Sequence, residues 1–225
     1  MPLNNQPIFS SLVEHAIELA SQWHAQTYRK GSWRAQPFPV PQGEMIRIPV
    51  MAHVTAVAMT VQRAGWDDIT VAAAFLHDVV EDGNRFGNEL AYEELCRLIG
   101  KEVADCVLEV TEEKYDEHGN FRKWTPRKIG YIERIKTGSV RAAAISIADK
   151  LHNLYSINQS LAKGIDVFSS GPTRRRLSAG PDRQRWFYHS VYEATSHHND
   201  MRLPPMRLEL RAEMDRFDQL TVKFG

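Results

Sequence analysis

Residues Ala72–Asp82 read AAAFLHDVVED. An apolar run leads into His77 and Asp78, and Glu81 and Asp82 follow after two valines. Wound as a helix, residues four apart share a face, which places His77 over Glu81 and Asp78 over Asp82. Two of these groups can hold a metal ion while the other two reach the water it activates. Three carboxylates and one imidazole are costly beside an apolar run unless they are paired or coordinate something. The alternative is a helix end whose charges face water. The wider stretch, Ile69 to Asp82, is apolar on most sides, so it predicts a helix buried in the middle of the fold. Asp67 or Asp68 would cap that helix and Gly83 would end it.

The segments on either side repeat the helical period. Phe9, Leu12, Val13, Ala16, Ile17 and Ala20 share one face of a helix from Phe9 to His24, with Ser11 and Glu14 as a capping box. Prolines 37, 39, 41 and 49 exclude a continuous helix over 32–49, where a short hairpin would fit. A second helix opens at Pro49–His53 and stops at Gly65. Downstream, helices are expected over Asn88–Ile99, Lys101–Val110, from a Thr125–Pro126 start to Gly138, and over Val140–Gln159. The polar stretch 111–124 carries a turn signal, and 169–181, with Arg174–Arg176, reads as a solvated loop. Helices over Asp182–His197 and Pro205–Leu220 close the chain. No segment alternates as a strand does. The predicted class is all-α, with about eight to ten helices in one domain spanning 1–225, the motif-bearing core lying near 9–160 and the helices of 182–221 packing on it.

At 225 residues the chain can bury one sizeable core. Lys+Arg and Asp+Glu both number 28, and this balance argues against broad nucleic-acid or membrane-surface binding. Cys96 and Cys106 lack CxxC spacing and read as reduced thiols, and no signal peptide or membrane span is apparent. A soluble cytoplasmic protein is expected.

Ionisable residues recur where apolar ones belong: His53, His77, Asp78 and Asp149. Taken singly, His53 could be a satisfied core histidine and Asp149 an ion pair with Lys150. Their recurrence, with Glu81 and Asp82 beside them, favours a site. Two imidazoles and two carboxylates suit a divalent first-row ion in roughly octahedral geometry, Mn²⁺ better than a tetrahedral structural Zn²⁺. Positions would remain for water, whose pKa such an ion lowers.

The series His53, His77–Asp78, Asp149 resembles the signature of the HD-domain metal-dependent phosphohydrolases. More narrowly, His24–Gly31 (HAQTYRKG), Pro49–His53, Ala73–Asp82 and Ile147–Asn153 (IADKLHN) resemble the (p)ppGpp hydrolase domain of the RelA/SpoT group and its small stand-alone alarmone hydrolases. Val110–Glu112 and Arg127–Lys128 match further family positions. The resemblance implies hydrolysis of the 3′-pyrophosphate of (p)ppGpp, the alarmone of the stringent response, with release of pyrophosphate. It implies one Mn²⁺ on His53, His77, Asp78 and Asp149; dinuclear relatives carry extra histidines where this chain has only His118. Glu81 and Asp82 would orient water and handle protons. Arg29 and Lys30 would face the base or its phosphates, and Asn153 the sugar or a phosphate. Lys150, Arg127 and Lys128 would neutralise phosphate charge. His152 could support the site from behind. Trp186, Phe187 and Tyr188 read as a core stripe rather than a stacking platform.

The chain departs from the family in the longer 32–52 link, in Val54 after the metal histidine and in Gly83 after the acid pair. These surround the pocket, so they bear on the substrate. Another nucleotide (a dNTP, a nucleoside monophosphate or NADPH) is the alternative substrate, and a non-hydrolysing nucleotide sensor the alternative class.

Overall fold

The computed structural model describes residues 8–29, 39, 41–42, 46–170 and 176–222. Among them the protein is all-α, with nine α-helices, one 3-10 turn and two isolated β-bridges. No helix of the described residues is long and apolar enough to cross a membrane.

Helix α1 (Ser11–Trp23) is capped one residue earlier than its sequence suggests. The Ser10 hydroxyl, not Ser11, accepts from the Val13 N–H at 3.3 Å. After it the chain reaches Tyr28, which forms an antiparallel bridge with Pro49. The Arg29 N–H donates to Ile48 O, and the Val50 N–H to Thr27 O. These bonds close the 29–48 excursion, so Arg29 lies beside the start of α2 (Val50–Arg63) and its His53. Most of the expected 32–49 hairpin lies outside the described residues.

Helix α3 (Asp68–Leu76) begins where Asp67 accepts from the Thr70 N–H at 3.0 Å. Every residue from Thr70 to Leu76 is buried, as a helix apolar on all sides requires. It ends at Leu76, short of the expected Asp82, and His77–Glu81 continue as turns. The Val79 N–H bonds back to Leu76 O, and only the Asp82 N–H to Asp78 O keeps helical spacing. Further along the turns, Lys114 donates to Glu81 O and Trp23 Nε1 to Asp82 O.

Helix α4 (Tyr92–Ile99) starts later than Asn88 because Asn84 Oδ1 accepts from the Phe86 and Asn88 N–H groups and holds that stretch in a loop. Gly100, at φ 93°, makes the sharp junction to α5 (Lys101–Val110). A hairpin-like excursion follows, bridged at Tyr115 and Phe121. Helix α6 (Trp124–Thr137) is entered at Lys123, which places Thr125 and Pro126 in the first turn rather than at the cap. Proline is tolerated there because first-turn N–H groups have no intrahelical partner.

Helix α7 (Val140–Ala162) is the longest, capped by Ser139, and Ala142–Lys150 are buried without a break. It packs on α2 and α3 and is covered by α9 (Leu203–Thr221). Helix α8 (Pro181–Ala194) lies against α6 and α9, and the 3-10 turn Thr195–His197 follows it. The two alanine triplets, 72–74 and 142–144, are wholly buried on α3 and α7. Small side chains let these central helices approach closely. The polar groups from His77 to Asp82 therefore leave the core just past the end of α3, while Asp149 and Lys150 project from the middle of α7.

Candidate metal centre and active-site cavity

His53 comes from the first turns of α2, His77 from the end of α3 and Asp149 from the middle of α7. All are buried, and one ligand-capable atom from each lies within 4.8 Å of the others. His53 Nε2 is 3.1 Å from Asp149 Oδ1. His77 Nε2 is 3.2 Å from Asp78 Oδ1 and 3.9 Å from Asp149 Oδ1. Asp78 borders the group, its other oxygen 3.7 Å from His53 Nε2.

The tautomers fit a cation. His77 Nδ1 lies 2.8 Å from Ala74 O, so that nitrogen carries the proton and donates. In the neutral ring Nε2 keeps its lone pair; that atom is buried and has no hydrogen-bond partner. Burial disfavours positive charge at this ring, but the neighbouring Asp78 and Asp149 carboxylates outweigh it and favour that charge. A lone pair aimed at two carboxylates is repulsive unless a positive charge lies between them. His53 Nδ1 is 2.8 Å from His152 Nδ1. When His53 Nε2 keeps its lone pair, its Nδ1–H is the donor, and His152 fixes the ring from behind, as anchored metal-binding histidines require. The nitrogen and oxygen donors suit a divalent ion.

Electrostatics on the α7 side run the same way. Burial pushes the Asp149 carboxyl up, but the Lys150 ammonium, then His53 and His77, outweigh it and hold it well below the usual carboxylate range. Lys150 Nζ is 2.5 Å from Asp149 Oδ2 and 4.3 Å from the centre of the Tyr131 ring. Asn153 Nδ2 donates to Asp149 Oδ1 at 2.5 Å, and Asn153 Oδ1 accepts from Arg29 at 2.6 Å. Arg29, Asn153 and Asp149 thus form one chain across the two segments.

The centre opens into a cavity of about 370 Å³. Glu81 and Asp82 line it, as do Arg29, Lys128, Lys150 and Asn153. Burial, then the Asp78 charge, raises the Glu81 carboxyl to about 7, against the pull of Lys114. Two expected phosphate cations are already engaged: Arg127 pairs with Glu112 at 3.0 Å, and Lys128 pairs with the same carboxylate. Arg127 is not on the cavity wall, whereas Lys128 is. Lys30 lies outside the described residues, as do Arg174 and Arg175.

Several wall residues were not assigned to the site from the sequence. Glu112 is buried, and its N–H donates to Glu81 Oε2 at 3.3 Å. Trp124, Tyr131, Gln184, Phe187 and Tyr188 also line the cavity. The stripe expected of 186–188 is present in Phe187 and Tyr188, which are buried, while Trp186 is exposed. His118 is exposed, and His198 is half-buried with its Nε2 3.0 Å from Ile135 O. Cys96 and Cys106 are free thiols.

A family profile described as HD domain matches residues 35–168. The chain belongs to the HD-domain family. Among curated relatives, it is 34% identical over 118 residues to the guanosine-3′,5′-bis(diphosphate) 3′-pyrophosphohydrolase MESH1 of Drosophila melanogaster, covering 52% of this chain and 60% of that one. It is 31% identical over 151 residues to a probable enzyme of the same name from Synechocystis, covering 65% of this chain and 17% of the relative. The matches therefore cover 60% and 17% of these relatives' own lengths, less than two thirds of either. Among solved structures, one described as a metazoan ortholog of SpoT that hydrolyzes ppGpp superposes over 98% of this chain and 99% of its own, with a TM-score of 0.62 at 24% identity. At that identity the likeness shows the fold.

Proposed function

We propose that the protein hydrolyses the 3′-pyrophosphate of (p)ppGpp, releasing pyrophosphate, as a cytoplasmic enzyme with one Mn²⁺. The observation that carries the reading is that two carboxylates, Glu81 and Asp82, line the same cavity as His53 and Asp149, whose donors lie within 4.8 Å of each other and of the His77 donor. A pure nucleotide sensor has no use for that acid pair. His53, His77, Asp78 and Asp149 would hold the ion, which supplies Lewis acidity to water and to a phosphoryl oxygen.

The chain's own groups do the rest. Glu81, with a carboxyl near neutrality, is suited to take the proton of the attacking water. Asp82 orients that water. The water oxygen bonds to the phosphorus attached to the ribose 3′ oxygen, the P–O3′ bond breaks, and the 3′ oxygen regains a proton. Arg29 and Lys128, on the cavity wall, face the negative charge that the in-line displacement spreads over the phosphoryl oxygens. Lys150 keeps Asp149 ionised, and Asn153 ties that aspartate to Arg29. Arg127 acts at a distance, by holding Glu112 beside Lys128.

The test is pyrophosphate release from ppGpp by purified protein, run with Mn²⁺ and with chelator, beside a panel of dNTPs, nucleoside monophosphates and NADPH. Chelator-sensitive release from ppGpp above the panel is expected. Turnover of another nucleotide alone would keep the centre and replace the substrate.

A further inference from the structure

Lys114 sits on the excursion between α5 and α6, and no part of the functional reading above uses it. Its ammonium donates to Asp82 Oδ1 at 2.7 Å and to the main-chain carbonyl of Glu81, and lies 3.8 Å from Glu81 Oε1. Two residues earlier, the Glu112 N–H donates to the other Glu81 carboxylate oxygen. Residues 112–114 therefore hold both side chains of the acid pair and the backbone between them. The strap is itself anchored to α6: Arg127 and Lys128 pair with the Glu112 carboxylate, while Arg134 donates to Thr111 O and pairs with Glu113.

Lys114 is absent from the wall of the cavity, although Glu81, Asp82 and Glu112 line it. Its charge thus reaches the acid pair from behind, and a phosphate in the cavity meets Lys128 and Lys150 instead. The need for such a device follows from the early end of α3. Glu81 and Asp82 lie on turns past Leu76, so the helix does not fix their direction, and the like charges of Asp78 and Glu112 press on Glu81.

We propose that Lys114 is a positioning residue for the reaction: it clamps the turn carrying Glu81 and Asp82 and aims both carboxylates at the attacking water. The inference rests on the roles given to Glu81 and Asp82 above. A misaimed catalytic group costs turnover rather than binding, and a displacement of about 1 Å can cost about 100-fold in rate.

The experiment compares wild type, Lys114→Met and Lys114→Arg, all loaded with Mn²⁺, by ppGpp kinetics and by amide hydrogen exchange of residues 78–84. Lys114→Met should lose kcat by about 30-fold or more, within the range of a mispositioned group. Its KM and Mn²⁺ affinity should stay within about threefold, because the phosphate and metal contacts are untouched. Exchange over 78–84 should speed up while α3 and α7 stay protected, and Lys114→Arg should restore most of both. A Lys114→Met protein with wild-type kcat, or one changed in KM alone, would overturn the proposal. If wild type releases no pyrophosphate, the proposed activity fails and the exchange arm still decides the clamp: faster exchange in Lys114→Met with recovery in Lys114→Arg supports it, and unchanged exchange sinks it. Should Lys114→Met not fold, Lys114→Gln, which keeps a donor without the charge, is read against the same criteria.

Discussion

His77 shows how a single side chain is committed by its surroundings. Its Nδ1–H is spent on Ala74 O, which leaves Nε2 as a buried lone pair facing carboxylates. Replacing His77 with Ala should weaken Mn²⁺ binding by about 10-fold or more, consistent with the effects of losing metal-site groups; calorimetric titration checks this. The acid pair makes a different prediction. Glu81→Gln and Asp82→Asn should retain the metal yet lose turnover by about 100-fold or more, the scale of general acid–base catalysis. The pH dependence has a fixed sign: a base works ionised, so kcat rises with pH through a carboxyl near 7. A bound cation favours the carboxylate and moves that rise to lower pH. A flat kcat profile between about pH 5 and 8 would contradict Glu81 as the base. At this scale the clustered histidines and aspartates were legible because ionisable groups in apolar helices stand out. Glu112 and Lys114 were not, because TEEKYDE reads as an ordinary solvated run until the fold turns it against Glu81.

Among the helices, the centres were read more reliably than the ends. The apolar faces of α3 and α7 were evident in the sequence, and both are buried. Ends are decided by side chains that capture backbone groups, as Asn84 does before α4 and as the His77 ring does with Ala74 O at the end of α3. Periodicity does not register such captures, so it could not place the end of α3 at Leu76. Asp67 joins two devices, since it caps α3 and pairs with Arg141 of α7 at 2.6 Å. Asp67→Ala should cost about 1–2 kcal/mol, the range for a lost cap, as measured by urea unfolding. Leu76→Ala, in the core directly before His77, should cost about 2–5 kcal/mol and loosen the metal centre as well. Full stability and metal affinity in that variant would contradict the idea that α3 packing aims the centre.

Across the whole molecule, the cavity is assembled from segments far apart in the chain. Arg29 bonds Asn153 across 124 positions, and α8 adds Gln184 and Tyr188 to the same wall. Local patterns gave the helices and the motif residues, whereas the far wall emerged only when α8 docked on α6. Because binding a cation relieves the crowding of carboxylates and lone pairs, metal should stabilise the fold. Saturation at about 100 times Kd adds about 2.7 kcal/mol. For a chain of this size that corresponds to a rise in Tm of about 5–10 °C, which chelator should reverse. The most direct test of the account is pyrophosphate release from ppGpp by Mn²⁺-loaded wild type and Mn²⁺-loaded Glu81→Gln, followed side by side. The account predicts rapid, chelator-sensitive release by wild type and almost none by a variant that still binds the ion. Equal release by both proteins, or none by either with Mn²⁺ bound, would contradict it.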